Sequence, residues 1–238
     1  MSREVLSNDP VLQESLKNFS DFDLQRFHHP WNDEWVIHGQ AMQFLGALVQ
    51  GVRPRRMIEF GSGRSTLVLA DLLRGRGRIL SFEHRARFSR QTDGWLRERG
   101  LGDVACLAHR RLTLRRYGAK LLPMYRIRWQ EFEAFRECEL ALIDGPPGYI
   151  GREATLYELF PRMAVGGWIV ADDMNRSSER RWLEAWQRAF GPALEAELLP
   201  AIGEGMAVLR KKVETPPHYP SFGENVRAWW GRSLGAKG

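Results

Sequence analysis

Apolar and polar residues repeat with two different periods along this chain, and the switches between them mark out its elements. From Ile37 the apolar positions Ile37, Ala41, Phe44, Leu45 and Leu48 recur at helical spacing. Gly51 and Pro54 are expected to end that helix. Met57–Phe60 then reads as a short buried strand, Ser65–Leu73 as a helix closed by Gly75, and Arg78–Glu83 as a second strand. A helix over 86–99 stops at Gly100, and Val104–Ala108 and Leu140–Asp144 read as the third and fourth strands. Ala154–Met163 is expected to be helical, and Trp168–Ala171 to be a fifth strand after Gly166–Gly167. Ser178–Phe190 is amphipathic, with Trp182, Leu183, Trp186 and Phe190 on the face to be buried. Ser177 or Ser178 is its expected cap and Gly191–Pro192 its stop. Short apolar strands alternating with helices predict a parallel sheet covered on both faces. The last two strands, Leu194–Leu199 and Met206–Leu209, have only Pro200–Gly205 between them, so they must pair antiparallel. The pattern predicts an α/β fold: a Rossmann-like, doubly wound seven-stranded sheet, mostly parallel, with a C-terminal antiparallel hairpin.

Composition narrows the picture. With 238 residues, 43% hydrophobic and nine Trp, the chain has core enough for one large domain or one domain with extensions, and wholesale disorder is excluded. The expected division is an N-terminal arm over 1–36, a catalytic domain over 37–212 and a C-terminal tail over 213–238. The arm carries Pro10 and the cluster Phe27-His28-His29-Pro30-Trp31, and reads as a segment laid over the core. The tail carries Trp229-Trp230, which should bury on the core or on a second subunit, leaving a homo-oligomer open. No run approaches the roughly 18 uncharged apolar residues of a membrane helix. The start lacks an apolar stretch behind basic residues, and Cys106 and Cys138 are too few for a disulfide scaffold. A cytoplasmic protein without a membrane partner is the expectation.

Net charge is +6, and only five of the 35 basic residues are lysines, leaving thirty arginines. Most read as solvated surface. The exception is the stretch His109–Arg128, where Arg110, Arg111, Arg115, Arg116, Lys120, Arg126 and Arg128 interleave with Tyr117 and Tyr125, with Trp129 next. As a basic loop with aromatics it could clamp an acidic substrate or a nucleic-acid phosphate. As a solvated, mobile loop it would do neither.

The candidate chemistry sits at strand ends. Glu59-Phe60-Gly61-Ser62-Gly63-Arg64-Ser65-Thr66 spans a strand-to-helix turn, where glycines let backbone amides approach a ligand. Neither a third dinucleotide-type glycine nor a phosphate-loop Gly-Lys-Ser/Thr is present. Glu83 ends the second strand about twenty residues later, where a carboxylate can accept both ribose hydroxyls of a nucleoside ligand. Asp144-Gly145-Pro146-Pro147-Gly148-Tyr149 follows the fourth strand; its prolines stiffen the loop and make a cis peptide bond plausible there. Asp172-Asp173 end the fifth strand, with Asp144 and Asp172 separated by 28 positions. Among the histidines, His28, His29 and His38 are the N-terminal candidates for a base.

In this order the motifs resemble those of the class I S-adenosylmethionine-dependent methyltransferases, over roughly residues 37–211. The matching residues are Glu59–Gly63, Glu83, Ile143-Asp144-Gly145, Gly166–Asp173 and the terminal hairpin. The resemblance implies S-adenosylmethionine as cofactor. Glu59, Gly61, Ser62, Gly63, Ser65 and Thr66 would hold its methionine end, Glu83 its ribose and His109 its adenine end, with His84 a further cofactor-binding residue. Asp144, Gly145 and Pro146 would border the reacting methyl. Asp144, Asp172 and Asp173 are similar to the Asp, Asp and Asn that hold magnesium in metal-dependent catechol-type O-methyltransferases, so Mg2+ is implied as an optional ion. Asp173 departs from that pattern, and Pro147 falls where those enzymes place a catalytic lysine. The Asp-Gly-Pro-Pro string looks closer to loops of enzymes acting on sugars. Asp144 and Arg152 are the candidate catalytic residues, Arg152 either binding an acidic group of the substrate or standing solvated at a helix start.

The expected activity is O-methylation of a small-molecule or sugar hydroxyl. Two competitors stay open: a nucleic-acid methyltransferase using residues 109–128, and a non-catalytic S-adenosylmethionine-binding protein. A nicotinamide-dependent dehydrogenase shares the glycine loop and Glu83 but not the terminal hairpin or the Asp-Gly-Pro-Pro loop.

Overall fold

Strand alternation divides the core into two faces. In the computed structural model, which describes residues 6–27 and 37–219, a seven-stranded sheet runs in the order β3-β2-β1-β6-β7-β9-β8. Its strands are β1 (Arg56–Phe60), β2 (Arg78–Glu83), β3 (Ala105–His109), β6 (Cys138–Ile143), β7 (Met163–Asp172), β8 (Leu194–Leu199) and β9 (Met206–Lys211). The pairs β1–β2, β1–β6, β2–β3 and β6–β7 are parallel, while β9 runs antiparallel to both β7 and β8. The expected fold and its closing hairpin are what the chain adopts.

One face of the sheet, carried by Met57, Ile79, Leu140, Leu142, Trp168 and Val170, is covered by α1 (Pro10–Asn18), α2 (Gly39–Val52), α3 (Arg64–Leu73) and α4 (Ala86–Glu98). The N-terminal arm therefore packs, with Leu6, Leu12, Phe22 and Phe27 sharing that core. Asp9 caps α1 by accepting from the Val11 and Leu12 amides, and it pairs with Arg210 of β9. The other face, with Ile58, Phe60, Leu80, Phe82, Ala141 and Ile143, is covered by α6 (Glu153–Leu159), α7 (Ser177–Phe190), the short α5 (Trp129–Glu133) and a separate hairpin.

That hairpin corrects the sequence reading. Residues 109–128 are not an open loop: β4 (Leu112–Tyr117) and β5 (Lys120–Tyr125) pair antiparallel, with Tyr117 opposite Lys120. The two-residue turn opens with Gly118 at φ 58°, the Gly-X signature of a tight hairpin. Three of its cations are paired locally: Arg115 with Glu158 at 3.0 Å, Lys120 with Glu153 at 2.6 Å, and Arg110 with Glu131, while Arg111, Arg116, Arg126 and Arg128 are exposed. Those carboxylates lie on α5 and α6, so the ion pairs staple the hairpin to the helices beneath it.

Smaller corrections follow from backbone geometry. Gly51 lies inside α2, which ends at Val52 with Arg53 in the left-handed region at φ 53°. The cap position of α7 is Arg176, with no side-chain capping bond from Ser177 or Ser178, and Trp182 is only half-buried. The helix expected to reach Met163 ends at Leu159 and a 3-10 turn, and Met163 already belongs to β7. The tail begins by folding back: the His218 amide donates to the Ala189 carbonyl, and the Tyr219 ring meets Tyr157 edge-on at 5.2 Å. Trp229-Trp230, like His28, His29 and Trp31, lies outside the described residues.

Candidate functional site

Where the parallel strands end, their loops enclose a cavity of about 440 Å³, a volume that suits a small-molecule ligand. Its wall includes Gly61, Ser62, Gly63 and Ser65 after β1, Glu83 and His84 after β2, Asp144 and Gly145 after β6, and Asp172 and Asp173 at the end of β7. In open α/β sheets this crevice at the carboxyl ends is where ligands bind.

The glycine loop is held from behind. Glu59 is fully buried, and its carboxylate accepts from Ser65 Oγ at 2.6 Å, Thr66 Oγ1 at 2.6 Å and Ser81 Oγ at 2.5 Å. Ser81 stands directly opposite Glu59 on the neighbouring strand. Thr66 Oγ1 in turn accepts from the Gly63 amide at 2.9 Å. Burial raises the Glu59 pKa to about 7, the three hydroxyls opposing that shift. Glu59 and Thr66 are thus supports of the loop, and neither is part of the cavity wall. Gly61, at φ 97°, crosses Gly145 so closely that a Cβ on Gly145 would fall 2.8 Å from the Gly61 Cα. Both glycines are demanded by that backbone crossing. The Gly145–Pro146 peptide is cis.

On the β2 side, Glu83 is buried and accepts from the Arg85 amide at 2.6 Å, with His84 Nδ1 3.1 Å away. Arg85 and Phe88, at the start of α4, extend this wall. His109 is exposed, its Nε2 3.2 Å from the His84 carbonyl oxygen, and it does not line the cavity. Pro146 likewise lies behind the wall, where its carbonyl accepts from Arg152 Nε at 2.8 Å. His38 reaches the cavity from the cap of α2, with Nδ1 accepting from the Gln40 amide.

The acidic end brings Asp144, Asp172 and Asp173 together, with carboxylate oxygens within 4.8 Å of one another. Asp173 sits in the left-handed region at φ 67°, and the loop after it is pinned to the β8–β9 turn through Met174 N to Gly205 O at 2.8 Å. Arg152 is not solvated at a helix start. It is buried among these acids, with Nη2 2.9 Å from Asp173 Oδ2 and 3.4 Å from Asp144 Oδ1. Its Nη1 donates to the Asp172 carbonyl at 3.1 Å. Burial alone would lower the Arg152 pKa, but the surrounding carboxylates outweigh it and raise it. Asp173 also accepts from Arg176 at 2.7 Å. Desolvation lifts Asp144 well above the usual carboxylate range against the pull of Arg152, and lifts Asp172 to about 6. The donor set therefore does not fit a divalent ion as it stands, because Asp173 is committed to two guanidinium groups.

Buried polar atoms without a hydrogen-bond partner mark where a ligand would bind. Among the described residues these include Ser62 Oγ, Tyr125 Oη and Asp172 Oδ1, and all three residues line this cavity. Tyr125 was not legible as a site residue. It arrives from the end of β5, packs at a tilt against Phe60 and Phe82, and has its pKa raised by burial and by Glu83. The signal for it was the alternation of Leu112–Tyr117 around the Gly118 turn, which marks the segment as strand.

Residues 58–174 match a family model described as a methyltransferase domain. No curated protein matches the chain. Among solved structures, cofactor-bound Rv0187 from MTB is 18% identical, with a TM-score of 0.59 over 88% of this chain and 93% of that one. The O-methyltransferase of Bacillus cereus in complex with SAH is 17% identical, with a TM-score of 0.58 over 86% and 92% of the two chains. TomG, the O-methyltransferase from Streptomyces achromogenes involved in tomaymycin synthesis, in complex with SAM, is 15% identical, with a TM-score of 0.57 over 87% and 91%. At these identities the likeness shows a shared fold. The methyltransferase-domain match over residues 58–174, with the strand order and glycine loop described above, bears out the expected resemblance to the class I S-adenosylmethionine-dependent methyltransferases.

Proposed function

We propose that this methyltransferase transfers the methyl group to a hydroxyl of a small molecule or sugar. The observation that carries this reading is one cavity lined by Ser62, Tyr125 and Asp172, whose buried Oγ, Oη and Oδ1 lack a hydrogen-bond partner, beside Glu83. The O-methyltransferases of like fold from Bacillus cereus and Streptomyces achromogenes support oxygen as the accepting atom. Three cations of the 109–128 segment are held in ion pairs with α5 and α6, which removes much of the support for a nucleic-acid clamp.

The residues present fit the cofactor: an orphaned Ser62 hydroxyl, a glycine cradle and a buried acid at the end of β2. When bound, S-adenosylmethionine supplies an electrophilic sulfonium methyl group. Gly61, Ser62, Gly63 and Ser65 would hold its amino-acid end, with Asp144 and Gly145 facing the amine. Glu83 and His84 would take the ribose. Because the displacement is direct, the chain's remaining work is to orient the acceptor and take its proton. Asp172, which lines the cavity, would take that proton. Its raised pKa keeps it a serviceable base near neutrality.

Calorimetric titration with S-adenosylhomocysteine tests the first half of the reading. Micromolar binding, roughly −8 kcal/mol, is expected. No binding in any condition would sink it. A panel of sugar and phenolic hydroxyls, assayed with S-adenosylmethionine, then identifies the acceptor.

A further inference from the structure

We propose that Arg152 is the resident cation of this site, taking the place of a divalent metal, and that the chain carries out methyl transfer without one. The inference deepens the methyl-transfer reading and rests on it for its catalytic consequence only.

Three carboxylates converge at the ends of β6 and β7, which is the arrangement expected of a hard-cation site. The position that touches both Asp144 and Asp173 is already held by Arg152 Nη2, at 3.4 Å and 2.9 Å. A metal bridging those two acids would have to displace that nitrogen. The guanidinium has nowhere to swing, because Nε is tied to the Pro146 carbonyl at 2.8 Å and Nη1 to the Asp172 carbonyl at 3.1 Å. Arg176 adds a second positive charge on Asp173 at 2.7 Å. Three carboxylates thus face two guanidinium groups. Arg152 Nε, Nη1 and Nη2 already donate to Pro146, Asp172, Asp144 and Asp173, so this guanidinium does not clamp two adjacent substrate hydroxyls as a metal would. It fixes the Asp144 and Asp173 carboxylates instead, leaving Asp172 Oδ1 as a buried oxygen without a partner. The acceptor therefore needs one hydroxyl and not an adjacent pair. The same contacts leave Arg152 no role in binding an acidic group of the substrate.

The test is an electron paramagnetic resonance titration of the full-length protein with Mn2+, with S-adenosylhomocysteine binding as the control for a competent fold. The wild-type chain is expected to take up no stoichiometric Mn2+, and its turnover, once an acceptor is found, to be unchanged by a chelator. Arg152→Ala, which frees the three carboxylates, should gain a Mn2+ site, while Arg152→Lys should stay without one. Stoichiometric Mn2+ on the wild-type protein overturns the proposal. So does an Arg152→Ala protein that binds the homocysteine ligand yet gains no metal. If Arg152→Ala does not fold, the wild-type and Arg152→Lys titrations decide it: uptake by the wild type overturns the proposal, and none by either supports it. Loss of S-adenosylhomocysteine binding in the wild type would instead strike the methyl-transfer reading and leave the metal question answered separately.

Discussion

Two acidic centres stand at the ends of neighbouring strands, and the chain neutralises them by different means. Glu59, at β1, is solvated by three hydroxyls and makes no ion pair among the described residues. Asp144, Asp172 and Asp173, at β6 and β7, are gathered around Arg152. Hydroxyls can turn to donate or accept, so the first centre tolerates a proton and its energetic role depends on pH. A buried guanidinium is permanently charged, so the second centre holds its carboxylates beside a fixed positive charge at the cavity wall. The comparison teaches that burying an acid at a strand end makes a scaffold behind the loop in one case and part of the cavity wall in the other, according to its partner.

The largest effect is expected from removing the cation. Arg152→Met should cost about 3–5 kcal/mol of stability by leaving buried carboxylates uncompensated. Urea denaturation measures it, and a loss below 1 kcal/mol would mean the acids do not depend on Arg152.

Glu59 sharpens the contrast from the other side. Its pKa is raised in the folded chain, to about 7 from an ordinary 4.5, so the folded state holds the proton more tightly than the unfolded one. Stability from this group is therefore fully present below the unfolded value and is lost as pH rises through about 7. The swing is about 3 kcal/mol by linkage. Glu59→Gln should flatten that dependence, read as the difference in unfolding free energy from wild type at pH 5 and pH 8. A parallel pair of curves would refute it.

Asp172→Asn probes the reactive centre. Turnover should fall about a hundredfold, the scale of losing a general base, with S-adenosylhomocysteine affinity nearly unchanged. The wild-type rate should climb as pH passes about 6, where the Asp172 carboxyl gives up its proton. A rate flat through that region would assign the proton transfer elsewhere. The smallest effect belongs to Tyr125→Phe, which removes one neutral hydroxyl from the cavity and should weaken ligand binding by about 1 kcal/mol, near fivefold. Unchanged affinity for both cofactor and acceptor would show that its hydroxyl meets neither.

Period and punctuation alone determined much of this protein. Alternating strands and helices required a covered parallel sheet, and Leu194–Leu209, with no room for a helix, required the closing antiparallel hairpin. The glycine loop, Glu83 and the three aspartates could be located because each sits where a strand runs out, a position that short-range pattern specifies. What the acids do was decided only by tertiary structure. Glu59 meets Ser81 because β1 and β2 pair in a register that puts them side by side. Arg152 becomes a buried counter-ion because β6 and β7 bring three carboxylates to one point. Tyr125 enters the cavity because β4 and β5 fold back and are stapled by Lys120–Glu153 and Arg115–Glu158. A charge's partner, unlike a helix's period, depends on residues far away in sequence, and only the folded chain brings them within reach.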